Sequence, residues 1–424
     1  MEDLALFYTH SENNNNTYRV EIGLKEKVSK AALEKAVLVS EKRYPYFCRK
    51  VIRDEKGKLA LVHNDLPIKV REGNGIVCLG TKEANFHFLS VAYSGETLYF
   101  DCYHGLTDGA GLLPFIKTIL YYYLTECGHS LSPEGINLAD SEIPAEEICD
   151  PVPQVPFEGV APIYRYKSVP HLDLTVEGKR TGDKPTVYRI KIPEAQLMHY
   201  ISSFDGSPAA FISSLLYKSI AENHPDTDKY IVGGTAVNLR SAYGLSPRNY
   251  NNLVTLVYQK YGKNNASMDL GKLTVITRGM VLLSTQPENF LADYNSRRQL
   301  REYMAGLPDD KARLAFMNNI MDKYVEDTFS ISYVGRSGWG SLSGYISEVY
   351  ITSAPAKGRG IMVEVNTADN CFTIAFMQSF TGEAYIDAFL RLLGQAGIKY
   401  ESCPPTDIVV CTVDTFPEQK EEQI

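Results

Sequence analysis

Two side chains four residues apart stand where chemistry could be done. They are His104 and Asp108, in the segment Tyr103-His104-Gly105-Leu106-Thr107-Asp108-Gly109. A neutral imidazole suits the removal of a proton from a hydroxyl or amine, because its pKa lies close to working pH. The preceding run Thr97–His104 alternates cleanly, with Leu98, Phe100, Cys102 and His104 on one side and Tyr99, Asp101 and Tyr103 on the other. The spacing predicts a strand that delivers His104 at its end, on the more apolar face. Asp108 then stands just before Gly109-Ala110-Gly111 and an apolar helix reaching about Leu124. Two plainer readings stay open: Asp108 as a helix N-cap and His104 as a core histidine bonded to backbone. No further His, Cys or carboxylate lies nearby at ligand spacing, so no metal is assigned.

The elements that must position this pair are spread along a chain of 424 residues, long enough for two or three domain cores. Hydrophobic residues at 44% and charged residues at 22% are ordinary globular values, which argues against a disordered chain. A net charge of -8 without a long basic run excludes a nucleic-acid partner. Met1-Glu2-Asp3-Leu4 carries acid where a secretory signal needs basic charge, and apolar stretches break well short of a membrane span. The eight cysteines are scattered without a C-x-x-C pair, so neither a zinc cage nor a disulfide framework is expected, and most are read as buried thiols. These features place the chain in the cytoplasm.

Tyr18, Val20, Ile22 and Leu24 alternate with polar residues as a first strand, and Ser29 then caps a helix whose apolar face is Ala32, Leu33, Ala36 and Val37. Further strands are expected near Leu59–His63, Asn85–Tyr93 and Thr97–His104. The stretch from Ser130 to Lys184 is rich in proline and poor in periodicity, and reads as a crossover draped on the surface. The second half opens like the first, with alternation at Tyr188, Ile190 and Ile192 and a helical pattern from Pro193. Ser207-Pro208 announces another helix. Strands are expected at Tyr230–Leu239, Leu253–Tyr258, Thr328–Val334, Glu348–Thr352, Ile361–Asn366 and Cys371–Gln378. The last two read as a hairpin turning at Ala368-Asp369-Asn370, followed by a helix near Glu383–Leu393 and a polar tail, Glu418–Ile424. The recurring strand-then-helix opening points to two related lobes.

The string from His104 to Gly109 resembles the H-x-x-x-D-G signature of the superfamily that includes chloramphenicol acetyltransferases, peptide-synthetase condensation domains, plant-type acyltransferases and alcohol O-acetyltransferases. Entry by a strand, a glycine-rich turn and exit by an apolar helix are similar too. The chain looks most like alcohol-acetyltransferase-like and condensation-like members. The resemblance implies an α/β (α+β) fold of two chloramphenicol-acetyltransferase-like lobes, each a mixed sheet flanked by helices, with an active-site tunnel at their interface. The lobes would be residues 1–150 and 185–424, joined by a crossover linker over 151–184. It implies an acyltransferase that moves an acyl group from a coenzyme A or phosphopantetheine thioester to an alcohol or amine, with His104 as general base and no permanently bound cofactor. Asp108 would be structural, paired with Arg240 of Val237-Asn238-Leu239-Arg240, and Gly109 would permit the loop-to-helix turn. Ser330-Ile331-Ser332-Tyr333-Val334-Gly335 resembles the family's S-N-x-G strand with Tyr333 in place of asparagine, which would put Ser332 in the tunnel as an oxyanion donor.

Two departures are clear. The plant-type D-F-G-W-G motif is absent, Gly338-Trp339-Gly340 being a superficial echo, and Tyr103 stands where many condensation domains carry a second histidine. Lys357-Gly358-Arg359-Gly360 offers Lys357 and Arg359 to the donor's phosphates. The partners expected are a small-molecule acceptor and an acyl thioester, with a carrier protein acting in trans as an alternative donor, and the chain is read as a monomer. A carrier-dependent condensation enzyme and a non-catalytic ligand-binding member of the same fold are the rival readings.

Overall fold

The computed structural model describes residues 7–8, 16–53, 59–150, 166–323, 326–333, 335–355, 359–409 and 411. In the first half the strands are β1 (Thr17–Leu24), β2 (Arg49–Arg53), β3 (Leu59–His63), β4 (Val70–Glu72), β5 (Leu89–Ser94) and β6 (Thr97–Tyr103). In the second half they are β7 (Thr186–Pro193), β8 (Ile231–Asn238), β9 (Val254–Tyr261), β10 (Phe329–Tyr333), β11 (Ile346–Ser353), β12 (Ile361–Ala368), β13 (Cys371–Gln378), β14 (Glu401–Ser402) and β15 (Thr406–Asp407).

Two mixed sheets carry the architecture. A five-stranded sheet has the order β11-β1-β6-β5-β4, and a larger one the order β14-β7-β13-β12-β10-β8-β9, with β15 also on β7. β1 is central to the first because its alternation is complete: Tyr18, Val20, Ile22 and Leu24 are all buried. It pairs antiparallel with β6 on one side and with β11 on the other. The second half of the chain thus contributes to both sheets. The helices Lys30–Glu41 and Gly109–Glu126 pack on each other and on the first sheet's core. The Pro208–Asn223 and Ala384–Gln395 helices do the same for the second.

Local signals account for the element ends. Ser29 and Ser207 accept from Ala32 and Ala210 as N-caps, and Pro208 opens its helix. Asp369 and Asn370 take positive φ, 46° and 60°, which suits a two-residue hairpin between β12 and β13. Where a strand over Asn85–Tyr93 was expected, Asn85 and Phe86 also have positive φ, so the chain turns and β5 begins only at Leu89. Three helices had no clear sequence signal: Leu270–Ser284, Leu291–Gly306 and Asp310–Lys323. Of the crossover, 151–165 and, of the tail, 412–424 lie outside the described residues.

The sheets meet along the seam between β1 and β11 on one side and β7 and β13 on the other. Val187, Tyr350, Ala375 and Met377 form a small apolar cluster there. Arg189 pairs with Glu21 at 2.7 Å and Lys191 with Glu348 at 2.6 Å across it. One cysteine expectation is corrected. Cys78 is joined to Cys411 with Cα atoms 5.4 Å apart, a pairing 333 positions long that only the fold brings about. Of the remaining thiols only Cys48 and Cys102 are fully buried. No described helix is long and apolar enough to cross a membrane.

Candidate active site

β6 lies between β1 and β5, with Leu98, Phe100 and Cys102 of one face fully buried. Its polar face is satisfied internally: Asp101 accepts from Arg19 Nε at 2.6 Å and from Nη2 at 2.9 Å. His104 follows the last residue of the strand, and its N–H donates to the Asn16 carbonyl at 2.6 Å. Tyr103, at the position of the absent second histidine, is buried against Phe7 and Phe88. A single imidazole is therefore presented at the strand exit.

The turn after it is held by a buried ion pair. Asp108 is the N-cap of the 109–126 helix, accepting from Gly111 N–H at 2.8 Å. Its Oδ1 also accepts from Arg240 Nη2 at 2.8 Å, and its Oδ2 accepts from Arg240 Nη1 at 2.9 Å and from Leu253 N–H at 2.8 Å. Arg240 spends its other three N–H groups on the carbonyls of Asn249 and Asn251 and on Asn238 Oδ1. All five guanidinium donors are used, so Arg240 has none left for a ligand. The N-cap reading of Asp108 and the ion pair coexist on one carboxylate.

Segment 249–253 closes over this turn. Thr107 Oγ1 donates to the Tyr250 carbonyl at 2.5 Å, and a Cβ on Gly111 would fall 2.4 Å from that oxygen. Gly111 is thus the position where a side chain is barred. Gly109 is different: its backbone is ordinary, a Cβ there would meet nothing within 4 Å, and the residue lines a cavity. The loop-to-helix turn does not depend on glycine at 109, because Asp108 already caps the helix in extended backbone.

Asn252 completes the surroundings of the imidazole. Its Nδ2 lies 2.9 Å from His104 Nδ1 and donates to the His104 carbonyl at 2.7 Å. The Tyr18 ring meets the imidazole edge-on at 5.1 Å. Burial pushes the His104 pKa below its usual value, opposed by the charge of Asp108 and by a hydrogen bond between the ring and its own backbone. The ring is therefore neutral at pH 7, the form that accepts a proton.

His104, Tyr18, Gly109 and Ala110 form one wall of a cavity of about 170 Å³. Ser332, Tyr333, Met362 and Glu364, from the second sheet, form the opposite wall. Ser332 on β10 and Glu364 on β12 are register partners, which sets the Ser332 hydroxyl beside the Glu364 carboxylate as a donor toward it. Burial raises the Glu364 pKa to about 7, against the lowering effect of that hydrogen bond. Of the residues offered to donor phosphates, Lys357 lies outside the described residues. Arg359 directs Nε and Nη2 to Asp327 at 2.7 and 3.1 Å, so its charge is balanced within the fold.

Tyr18, Asn252 and Glu364 escaped sequence reasoning. Only Glu364 left a mark, as the lone charge in the apolar run Ile361-Met362-Val363-Glu364-Val365.

Comparison with solved structures identifies the fold. TRI101 from F. sporotrichioides, in its crystal structure with coenzyme A and T-2, matches with a TM-score of 0.61 at 13% identity, over 94% of this chain and 99% of that one. Polyketide synthase associated protein 5 from Mycobacterium tuberculosis matches with a TM-score of 0.56 at 12% identity, over 91% and 97%. A condensation domain that mediates chain release from the enacyloxin polyketide synthase matches with a TM-score of 0.52 at 13% identity, over 93% and 82%. No protein-family model matches the chain. No curated protein sequence matches it. The chain has the two-lobed fold of coenzyme A-dependent acyltransferases and condensation domains.

Proposed function

We propose that this protein is an acyltransferase that moves an acyl group from a coenzyme A or phosphopantetheine thioester to an alcohol or amine, with His104 as general base. The observation that carries the reading is a half-buried, neutral imidazole at the junction of two sheets, lining a cavity closed on its far side by the other sheet. Its Nδ1 side is covered by Asn252 and its own carbonyl, while Nε2 is bonded to no described residue.

The chemistry requires one tautomer. With the proton on Nδ1, directed to the His104 carbonyl, Nε2 keeps a lone pair for the acceptor's O–H or N–H, and the Asn252 amide then donates to that carbonyl alone. The acceptor attacks the thioester carbonyl as it loses its proton, and the proton passes from Nε2 to the departing thiolate. Base catalysis of this kind contributes roughly a hundred- to ten-thousandfold. Holding donor and acceptor together in one cavity contributes further. Negative charge on the carbonyl oxygen is met by the Ser332 hydroxyl, which turns toward it once Glu364 is protonated or paired with another donor. Asp108 and Arg240 touch no reacting atom in this scheme; they fix the backbone from which the imidazole projects.

The test is thiol release. Purified protein is offered several acyl-CoAs and a panel of alcohols and amines, with wild type and His104→Ala compared. The expected result is acceptor-dependent release in wild type that falls by two orders of magnitude or more in the variant. Identical traces overturn the reading and leave a ligand-binding protein. Carrier-linked donors used in place of acyl-CoAs assign the donor to a carrier protein.

A further inference from the structure

We propose that Glu364 selects acceptors carrying a basic nitrogen, pairing with their ammonium group while their nucleophile lies at His104. The proposal rests on the acceptor reading of the same cavity and narrows its substrate class.

The strand places the carboxylate there by simple alternation. On β12, Ile361, Val363 and Val365 are fully buried in the core of the second sheet. Met362 and Glu364 therefore take the opposite face, and both line the His104 cavity. Glu364 is only 7% exposed. The Ser332 hydroxyl is its neighbouring donor, and none of the described cations pairs with it.

The charge in the cavity is accordingly lopsided. Asp108 and Arg240 also line it but neutralise each other at 2.8 Å, and His104 is neutral. Glu364 is the group left without a counter-charge. Burying an ionised carboxylate without one is costly, and glutamine would fill the same volume without that cost. A counter-ion that arrives with the ligand accounts for the acid. Its elevated pKa, about 7, fits a carboxyl waiting for a cation, since pairing would draw it back to the ionised form. Most of the remaining lining, including Tyr18, Val254, Tyr333 and Ile351, is apolar or aromatic, and Asn238 and Ser353 add uncharged polar groups. They suit a small apolar body, and ring faces attract an ammonium group as well.

Tyramine and tyrosol distinguish the possibilities, because they share ring and chain and differ only in an amine against a hydroxyl. Each is titrated calorimetrically into wild type and Glu364→Gln at pH 7.5 without any acyl donor, so no turnover occurs. Wild type should bind tyramine at least tenfold more tightly than tyrosol, and the preference should vanish in Glu364→Gln. Equal affinities in wild type, no binding of either probe, or a preference that survives in the variant overturns the proposal. Thermal melting of the variant shows that it is folded, and the wild-type comparison stands without it. The outcome is separable from the acyltransferase reading. Thiol release with neutral alcohols but no tyramine preference sinks this inference alone, and tyramine preference without thiol release sinks only the catalytic one.

Discussion

Asn252 holds its amide nitrogen 2.9 Å from His104 Nδ1 and 2.7 Å from the carbonyl oxygen of the same residue. One side chain thus bonds the backbone of the proposed base and packs against the Nδ1 edge of its ring. Asn252→Ala should leave the fold intact but let the ring rotate. Misplacement on the ångström scale costs about 100-fold in rate. Steady-state thiol release should show that loss in kcat with little change in KM for either substrate. An unchanged kcat would mean that Asn252 does not hold the ring.

The Asp108–Arg240 pair is almost fully buried, and removing one partner strands the other's charge. Asp108→Asn should destabilise the protein by about 3–5 kcal/mol, read from urea unfolding. Arg240→Lys should also lose stability, because an ammonium group cannot span both carboxylate oxygens and three further acceptors. A stability unchanged in both variants would contradict the central position given to this pair.

Acidity should affect the reaction through His104. Its folded pKa lies below the usual 6.5, and the neutral form is the active one. The acid limb of kcat/KM should therefore have its midpoint below pH 6.5, with a plateau through pH 7–8. A midpoint above 6.5 would show that the imidazole is not desolvated as the cavity implies.

Two neighbouring glycines should behave oppositely. Gly111→Ala drives a methyl into Thr107 Oγ1 and the Tyr250 carbonyl, 2.3 and 2.4 Å away, and should cost about 1–3 kcal/mol or more. Gly109→Ala meets open space and should cost nothing in the same urea titration. Gly109→Leu, by contrast, should raise the acceptor's KM, because that position lines the cavity.

Glu364 should give the unliganded protein a stability that declines toward alkaline pH. Its folded pKa, about 7, exceeds the unfolded value of 4.5, so the folded state holds the proton more tightly. The contribution is fully present below pH 4.5, is lost as pH rises, and levels off above 7. Relative to Glu364→Gln, wild type should lose up to a few kcal/mol between pH 4.5 and pH 8, measured by urea unfolding at each pH.

The parts legible in the sequence were those set by neighbours in the chain. The alternation in β1, the caps at Ser29 and Ser207, the Asp369-Asn370 turn and the exit of β6 at His104 each depend on a few consecutive residues. The Leu270–Ser284 helix was opaque because its buried face includes Gly271, Thr274 and Thr277, which blur an apolar stripe. Leu291–Gly306 is polar enough to hide its period. At the site, Asn252 stands 148 positions from the ring it braces, and nothing local connects them. Glu364 was visible in a strand, but which face of that strand meets the imidazole is decided by how the two sheets dock. The Cys78–Cys411 link is likewise a product of the finished fold.

β11 bears on how the chain is made. Until residue 353 leaves the ribosome, β1 has one edge without a neighbour, and an open edge recruits whatever strand it meets. The first lobe is therefore completed late in synthesis, and expression of 1–150 alone should yield aggregates rather than a stable half. The same strand stitches the second half of the chain into the first sheet, so the two halves cannot part without tearing the β1–β11 ladder.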